Sequence, residues 1–288
     1  MQKETIGYIG PGIMGRPMIE NLRKAGYPIV VYARREDARA ELEADGINTE
    51  NTPAAVAEKT QIIFSCVGDT GDVEAVLLGK NSVIETATAG SIAIDMSTIS
   101  PKVTKEIAAK LSRKNIHMLD APVSGGEQGA MDGTLSIMVG GEKEIVEKIR
   151  PLFEILGKNI IHVGGNGTGQ IAKACNQVLV AQTITAVAEA LVLAEAAGAD
   201  PAKVREALLG GFAYSKILEV HGQRMLDKNY QPGFKTRLHA KDMRIVLETA
   251  EALGLDLQGA KLAARHIEKL VADGDGELDS SAIRKCIR

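Results

Sequence analysis

Tryptophan is absent from this chain, and its phenyl and phenol side chains amount to four phenylalanines and five tyrosines. So few rings argue against the stacking platforms that bind single-stranded nucleic acid. Positive charge is not in excess either. The net charge of −3 gives no broad attraction to a phosphate backbone or an anionic bilayer. Cysteine is scarce: Cys66, Cys175 and Cys286 are odd in number and far apart. That pattern fits neither a disulfide framework nor a metal site, and points to a reducing cytoplasm. Five histidines (His117, His162, His221, His239 and His266) fall in separate elements without paired-ligand spacing, so no metal is expected. The acidic stretch Asp273-Gly274-Asp275-Gly276-Glu277 is too short for a calcium loop and has no ligand at its far end. Met1-Gln2-Lys3-Glu4-Thr5 leads directly into a strand, with no apolar leader. No run reaches the ~20 apolar residues that a membrane helix requires. Neither nucleic acid nor membrane is expected as a partner, and no repeat or low-complexity segment is visible.

What is present is a globular balance of 45% apolar and 25% charged residues over 288 positions, enough for two domains. The first half alternates short apolar runs at 5–9, 29–33, 62–67, 91–95 and 117–119 with amphipathic stretches at 14–25, 36–44, 72–78 and 101–113. Such alternation predicts right-handed crossovers and a mostly parallel, doubly wound α/β sheet of Rossmann type. Gly26 stands where a helix C′ glycine belongs, and Pro101 where a first-turn proline belongs. Strands at 135–139 and 159–162 flank a helix at 142–155. The pattern then changes. From 170 to 197 no breaker occurs, and Ile171, Ala174, Val178, Ala181, Thr185, Ala188 and Val192 recur at three- and four-residue intervals. They predict one long helix with a stripe of mostly small residues, ended by Gly198. Asp200-Pro201 is an N-cap followed by a first-turn proline, and helices follow at 202–209, 216–226, 241–253 and 260–272. The expected division is a Rossmann domain over 1–165 and an all-helical domain over 166–288.

Gly10-Pro11-Gly12-Ile13-Met14-Gly15 follows the first strand and opens the first helix. In that context the three glycines permit a tight turn, a close approach of backbone to a pyrophosphate, and close helix–sheet packing. The helix N-terminus then offers free N–H groups to the phosphates of a dinucleotide. The bland alternative is a glycine turn with no ligand. The second strand ends in Tyr32-Ala33-Arg34-Arg35. NAD-selective sites place an acid here for the ribose 2′-hydroxyl, whereas Ala33 has none and two guanidinium groups suit a 2′-phosphate. The expectation is NADP(H) in preference to NAD(H), unless Arg34 and Arg35 are surface residues partnered by Glu36 and Asp37.

Asp120-Ala121-Pro122-Val123-Ser124-Gly125-Gly126 follows a strand at the carboxyl edge of the sheet, where open α/β folds bind ligands. Its two glycines expose N–H groups that can hold a carboxylate, although an ordinary Gly-Gly loop has the same composition. Lys173 and Asn176 share one face of the long helix. The small residues around them suggest that this face meets the other domain. A lysine on a largely apolar face either snorkels to solvent or lies in a cleft, where it can protonate a carbonyl oxygen as hydride arrives.

Four separated segments resemble the β-hydroxyacid dehydrogenase family, which includes the 3-hydroxyisobutyrate dehydrogenases, over nearly the whole chain. Ile9-Gly10-Pro11-Gly12-Ile13-Met14-Gly15-Arg16-Pro17-Met18 looks like the family's nucleotide signature. Asp120-Ala121-Pro122-Val123-Ser124-Gly125-Gly126, with Gly133-Thr134-Leu135, looks like its substrate loop. The stretch 167–177 resembles its catalytic helix, and Lys241-Asp242-Met243 its late Lys-Asp pair. The resemblance implies that Lys173 is the general acid/base and that Ser124, Gly125 and Gly126 hold the substrate carboxylate. It places Asn176 on the substrate, and Lys241 beside both nicotinamide and substrate. Val67, Gly68 and Thr98 match positions that line the cofactor, with Val-Gly where the family usually has Leu-Pro. His239, two residues before Lys241, is assigned a supporting role.

Within the family, the stretch 210–215, Pro232-Gly233-Phe234 and Leu238-His239-Ala240-Lys241-Asp242 look most like the tartronate semialdehyde reductases. The arginine pair instead resembles the NADPH-using glyoxylate and succinic semialdehyde reductases. The resemblance thus implies reduction of a small carboxylate-bearing aldehyde to a hydroxy acid, by a homodimer or homotetramer. The alternatives are an NAD(P)-dependent 3-hydroxyisobutyrate or L-serine dehydrogenase and, from another class, a nucleotide-binding interaction module without catalysis.

Overall fold

The structure, a computed structural model, describes residues 3–287; the reading drawn from Met1 and Gln2 lies outside them, as does Arg288. Contacts gather the chain into two compact units, Met1–Lys173 and Ala174–Arg288.

The first unit opens with β1 (Ile6–Ile9), α1 (Gly15–Lys24), β2 (Ile29–Tyr32), α2 (Glu36–Ala44), β3 (Asn48–Glu50), α3 (Pro53–Lys59), β4 (Ile62–Ser65), α4 (Thr70–Leu78) and α5 (Val83–Thr86). It continues with β5 (Ile92–Asp95), α6 (Pro101–Ser112), β6 (His117–Asp120), β7 (Val123–Ser124), α7 (Gly126–Met131), β8 (Leu135–Gly140), α8 (Lys143–Leu156) and β9 (Gly157–Gly164). The strands form one sheet in the order β3-β2-β1-β4-β5-β6-β8-β7, with β9 also on β8. β1 to β6 are parallel; β8 runs antiparallel to β6 and β7 and parallel to β9. The order 3-2-1-4-5-6 is that of the dinucleotide-binding sheet, with its reversal between β1 and β4.

Both faces of the sheet are covered, which explains why its strands are apolar without alternation. Ile6, Tyr8, Phe64, Ile92, Ile94 and Leu119 pack on one side with Met18 and Leu22 of α1 and Ile149 and Phe153 of α8. Their strand neighbours Ile9, Ile63, Ala93 and Met118 pack on the other with Val73 and Leu77 of α4 and Ile107 and Leu111 of α6. Local signals end the helices as expected. Gly26 has φ +86°, and the N–H groups of Gly26 and Tyr27 close the end of α1 on Arg23 and Leu22. Ser100 caps α6 ahead of Pro101.

At the division lies α9 (Thr168–Ala196), followed in the second unit by α10 (Pro201–Leu209), α11 (Lys216–Leu226), α12 (Thr236–Ala252), α13 (Gln258–Ala272) and a 3-10 helix at Ser280–Cys286. The second unit is helical, with one isolated antiparallel bridge between Lys235 and Asp279 among the described residues. Its core joins Ala181, Ile184, Ala188 and Leu191 of α9 to Met243 and Val246 of α12 and Ala263, Ala264 and Ile267 of α13. Ala181 and Ala188 belong to the expected stripe, and Ala174 and Val178 of that stripe pack against this core, while Ile184 and Leu191 extend it at helical 3,4,3 spacing beyond the residues expected. Asp200 caps α10 through the Ala202 N–H (2.9 Å), and Pro201 takes the first helical position.

One expectation is corrected. By length and hydropathy α9 does match a membrane span, with a mean hydropathy of 1.7, although the sequence reading found no such segment. Of that window, 44% is buried inside the protein, so protein contacts account for much of its apolar character.

Candidate active site

In the first unit, the glycine loop lies at the reversal of strand order. Gly10 has φ +92°, and a Cβ there would come within 2.3 Å of the Cys66 carbonyl oxygen at the end of β4. A Cβ at Gly15 would come within 2.2 Å of the Gly10 carbonyl oxygen. Packing within the fold therefore demands both. Gly12 differs: a Cβ there meets nothing within 4 Å. No internal contact requires that glycine, and the bare backbone it leaves faces open space, as the approach of a pyrophosphate needs. Ile13 is exposed beside it. α1 begins without a side-chain cap at Met14 and without an acid in its first turn. Its N-terminus is thus suited to an anion, and the loop fits a dinucleotide phosphate.

At the end of β2, Ala33 is buried, while Arg34 and Arg35 are 81% and 71% exposed. Arg34 lies 3.4 Å from Asp72, and Arg35 lies 3.3 Å from Asp37. The Asp37 pairing anticipated from the sequence is thus present. Exposed ion pairs of this kind are weak, which leaves both guanidinium groups available to a stronger partner. Arg39 donates to the Ala33 carbonyl (2.8 Å) and fixes the turn that presents them.

Two further loops leave the carboxyl edge. Val67 N–H donates to Ser97 Oγ (2.9 Å), and Ser97 Oγ donates to Asp95 Oδ1 (2.7 Å). Ser65 Oγ donates to the same carboxylate oxygen (2.8 Å). The loop carrying Val67 and Gly68 is thereby tied to the loop carrying Thr98. Gln170 adds a third tie: its amide bonds Ser97 and Ile99 on either side of Thr98.

The start of α9 is seated on the sheet. Asp120 Oδ1 accepts from Gly167 N–H (2.8 Å), and Oδ2 accepts from Gln170 N–H (3.0 Å). Burial pushes this carboxyl up to about 6, although the two N–H donors pull the other way. Cβ atoms at Gly140 and Gly169 would come within 2.6 Å of the Asp120 carboxylate and 2.5 Å of its carbonyl oxygen, so both glycines are needed for the close approach. The seating sets Lys173, 7% exposed, whose Nζ donates to the Val123 carbonyl (2.9 Å). Lys173 does not snorkel. Its amino group touches the segment that continues into Ser124, Gly125 and Gly126. Gly125 and Gly126 have φ +139° and +65° and turn the chain into the first N–H groups of α7. Such a turn can receive a carboxylate.

In the second unit, Asn176 and Lys241 are linked by a chain of side chains. Asn176 Nδ2 donates to Gln177 Oε1 (2.7 Å), and Gln177 Nε2 donates to Asp242 Oδ2 (2.6 Å). Lys241 Nζ lies 3.1 Å from Asp242 Oδ1. His239 is buried, with Nδ1 on Ser280 Oγ (2.9 Å) and its ring against Phe234.

Sequence reasoning missed Asp95, Ser97, Gln170 and Gln177. A signal existed for Gln170, which lies three residues before Lys173 and so on its helix face. Asp95 likewise stands as an acid directly after a buried apolar run.

Residues 5–165 match the family model of the NAD binding domain of 6-phosphogluconate dehydrogenase. Residues 167–287 match that of the NAD-binding of NADP-dependent 3-hydroxyisobutyrate dehydrogenase. The 2-hydroxy-3-oxopropionate reductase of Escherichia coli K12 is 48% identical, over 96% of this chain and 95% of the relative. The 2-(hydroxymethyl)glutarate dehydrogenase of Eubacterium barkeri is 35% identical, over 97% and 93%. Among solved structures, Mycobacterium tuberculosis 3-hydroxyisobutyrate dehydrogenase with L-serine superposes with a TM-score of 0.91 at 30% identity, covering 99% of each chain.

Proposed function

The chain belongs to the β-hydroxyacid dehydrogenase family, the group of the 3-hydroxyisobutyrate dehydrogenases, and we propose that it reduces a small carboxylate-bearing aldehyde to the hydroxy acid with NADPH. The aldehyde we favour is 2-hydroxy-3-oxopropionate, tartronate semialdehyde, in line with the 48% identical reductase. Glyoxylate and succinic semialdehyde belong to the same class. The carrying observation is the buried amino group of Lys173 on the Val123 carbonyl, next to Ser124.

When bound, the dinucleotide supplies a hydride from its nicotinamide ring to the substrate carbonyl carbon. Gly10, Gly12, Ile13, Met14 and Gly15 receive its pyrophosphate. Arg34 and Arg35, beyond Ala33, bind the 2′-phosphate, while Val67, Gly68 and Thr98 line the remainder. Ser124, Gly125 and Gly126 hold the substrate carboxylate and so fix which carbon is presented. Lys173 Nζ gives a proton to the carbonyl oxygen as the C–O double bond becomes single, and is reprotonated from solvent. Asn176 and Lys241 bind the substrate, and Lys241 also binds the nicotinamide end of the dinucleotide. Their mutual spacing is kept by Gln177 and Asp242. No metal takes part. We place the protein in the cytoplasm, a reading supported by its free thiols at Cys66, Cys175 and Cys286. A homodimer or homotetramer is supported by Leu179 and Leu193 of α9, 68% and 70% exposed.

The test is an NADPH-linked absorbance screen of tartronate semialdehyde, glyoxylate, succinic semialdehyde and methylmalonate semialdehyde, repeated with NADH. Fastest turnover of tartronate semialdehyde with NADPH is expected. The likeness to the enzyme solved with L-serine favours a second reading, oxidation of 3-hydroxyisobutyrate or L-serine. Turnover confined to those alcohols, offered with NADP+ or NAD+ in a parallel assay, would replace the first reading. Nucleotide binding without turnover of any of them would make the chain a binding module.

A further inference from the structure

Gln170 is buried one helical turn before Lys173, and both ends of its amide engage one short stretch of main chain. Oε1 accepts from the Ile99 N–H (3.1 Å), and Nε2 donates to the Ser97 carbonyl (2.8 Å). The residue between is Thr98. The side chain acts as a substitute peptide group, satisfying a donor and an acceptor that this buried turn would otherwise leave unmade. Its position along the helix is itself fixed, because its backbone N–H is held by Asp120 (3.0 Å). From the other side, Ser97 Oγ is held between Val67 N–H (2.9 Å) and Asp95 (2.7 Å). Thr98 therefore stands between two clamped peptides, and one of the clamps belongs to the helix that carries Lys173.

We propose that Gln170 is a positioning residue for hydride transfer, holding Thr98 at a fixed offset from the proton donor Lys173. The inference rests on the reading of Lys173 and Thr98 given above. Proton donor and hydride donor must meet the two ends of one carbonyl bond, and a misplacement of about 1 Å costs about 100-fold in rate. A single side chain that sets one against the other affects kcat over and above the stability lost when its two main-chain partners are left unpaired.

The test uses the full chain and three substitutions. Gln170→Leu removes both bonds at similar volume. Gln170→Glu keeps the acceptor and regains a donor only when protonated. Thr98→Ala removes the side chain of the residue that is held. Gln170→Leu is expected to lower kcat about 10- to 100-fold. Adenosine 2′,5′-bisphosphate, which carries the adenine half of the cofactor and no nicotinamide, is expected to keep its Kd. Gln170→Glu is expected to gain activity relative to the parent as pH falls. Thr98→Ala is expected to cost far less in the Gln170→Leu background than in the parent, because the two act as a unit. A lower Tm is expected of Gln170→Leu, since two buried main-chain groups lose their partners; the proposal is overturned if the two kcat losses simply add, or if Gln170→Leu weakens the bisphosphate in step with kcat. Turnover of the parent with NADPH is measured first. Its absence removes the functional reading and this inference with it, whereas normal parent turnover with additive variants removes only the role of Gln170.

Discussion

The candidate-site residues of the two units are held by different means. In the first, main chain does most of the holding: Asp120 on two N–H groups, Gln170 on a carbonyl and an N–H, Lys173 on the Val123 carbonyl. In the second, side chain holds side chain, from Asn176 through Gln177 and Asp242 to Lys241. A main-chain partner is fixed by the fold and does not depend on the identity of the residue that presents it. A side-chain partner is lost with a single substitution, and its neighbours are then left unpaired in a buried place. Geometry around Lys173 is therefore set largely by the backbone, and around Lys241 it is shared among residues that must be changed together.

The largest expected effect tests the fixed side of that contrast. Lys173→Ala should lower kcat by about 100- to 10,000-fold while NADPH still binds, as measured by fluorescence titration. Turnover within tenfold of the parent would remove Lys173 as the proton donor. Gln177→Leu probes the shared side, since it cuts Asn176 from Asp242 at once. A fall in kcat/KM of about 100-fold is expected. If Gln177→Leu and Lys241→Ala prove additive in a double-mutant cycle, the side chains do not act as a unit.

Arg34 and Arg35 are the opposite of both, being exposed and only weakly held. Replacing either with Ala should lower kcat/KM for NADPH about tenfold, the worth of a charge-assisted bond, and leave that for NADH nearly unchanged. Equal losses with both cofactors would refute the 2′-phosphate assignment. The last effect is on stability rather than on turnover. Burial raises Asp120 to about 6, so between its ordinary value and about 6 the folded protein retains a proton that the unfolded chain has released. Stability should therefore fall as pH rises through that window, by on the order of 2–3 kcal/mol. Tm followed from pH 4 to pH 7 should show this slope in the parent and lose it in Asp120→Asn. An unchanged slope would mean that another group titrates.

Much of this was legible in the sequence because it is written in local signals. The alternation of apolar runs gave β1, β2, β4, β5 and β6, and the glycine loop, Gly26, Pro101 and Asp200-Pro201 marked their own positions. What escaped has little periodicity. β3 is Asn48-Thr49-Glu50, a partly exposed strand without an apolar residue, and α7 opens on glycine. α12 begins at Thr236 rather than at 241, because its first turn joins the Leu278 carbonyl, a partner far along the chain. The same reason hid the roles of Gln170 and Gln177. An amide states nothing about its function until the groups at both of its ends are known, and those lie at Ser97, Ile99, Asn176 and Asp242.

Gly140 and Gly169 carry a consequence for anyone who alters this enzyme. Glycine to alanine is among the mildest exchanges by size, and position 140 lies on a strand, outside the residues assigned to substrate or cofactor. Yet one added methyl at 140 would be driven into the carboxylate on which the first turn of α9 rests, and one at 169 into the carbonyls of Asp120 and Met138. The helix would have to lift, and its lysine with it. A mutagenesis library aimed at new substrates should leave these two positions untouched along with the loop residues named above, since they set how the first turns of α9 rest on Asp120.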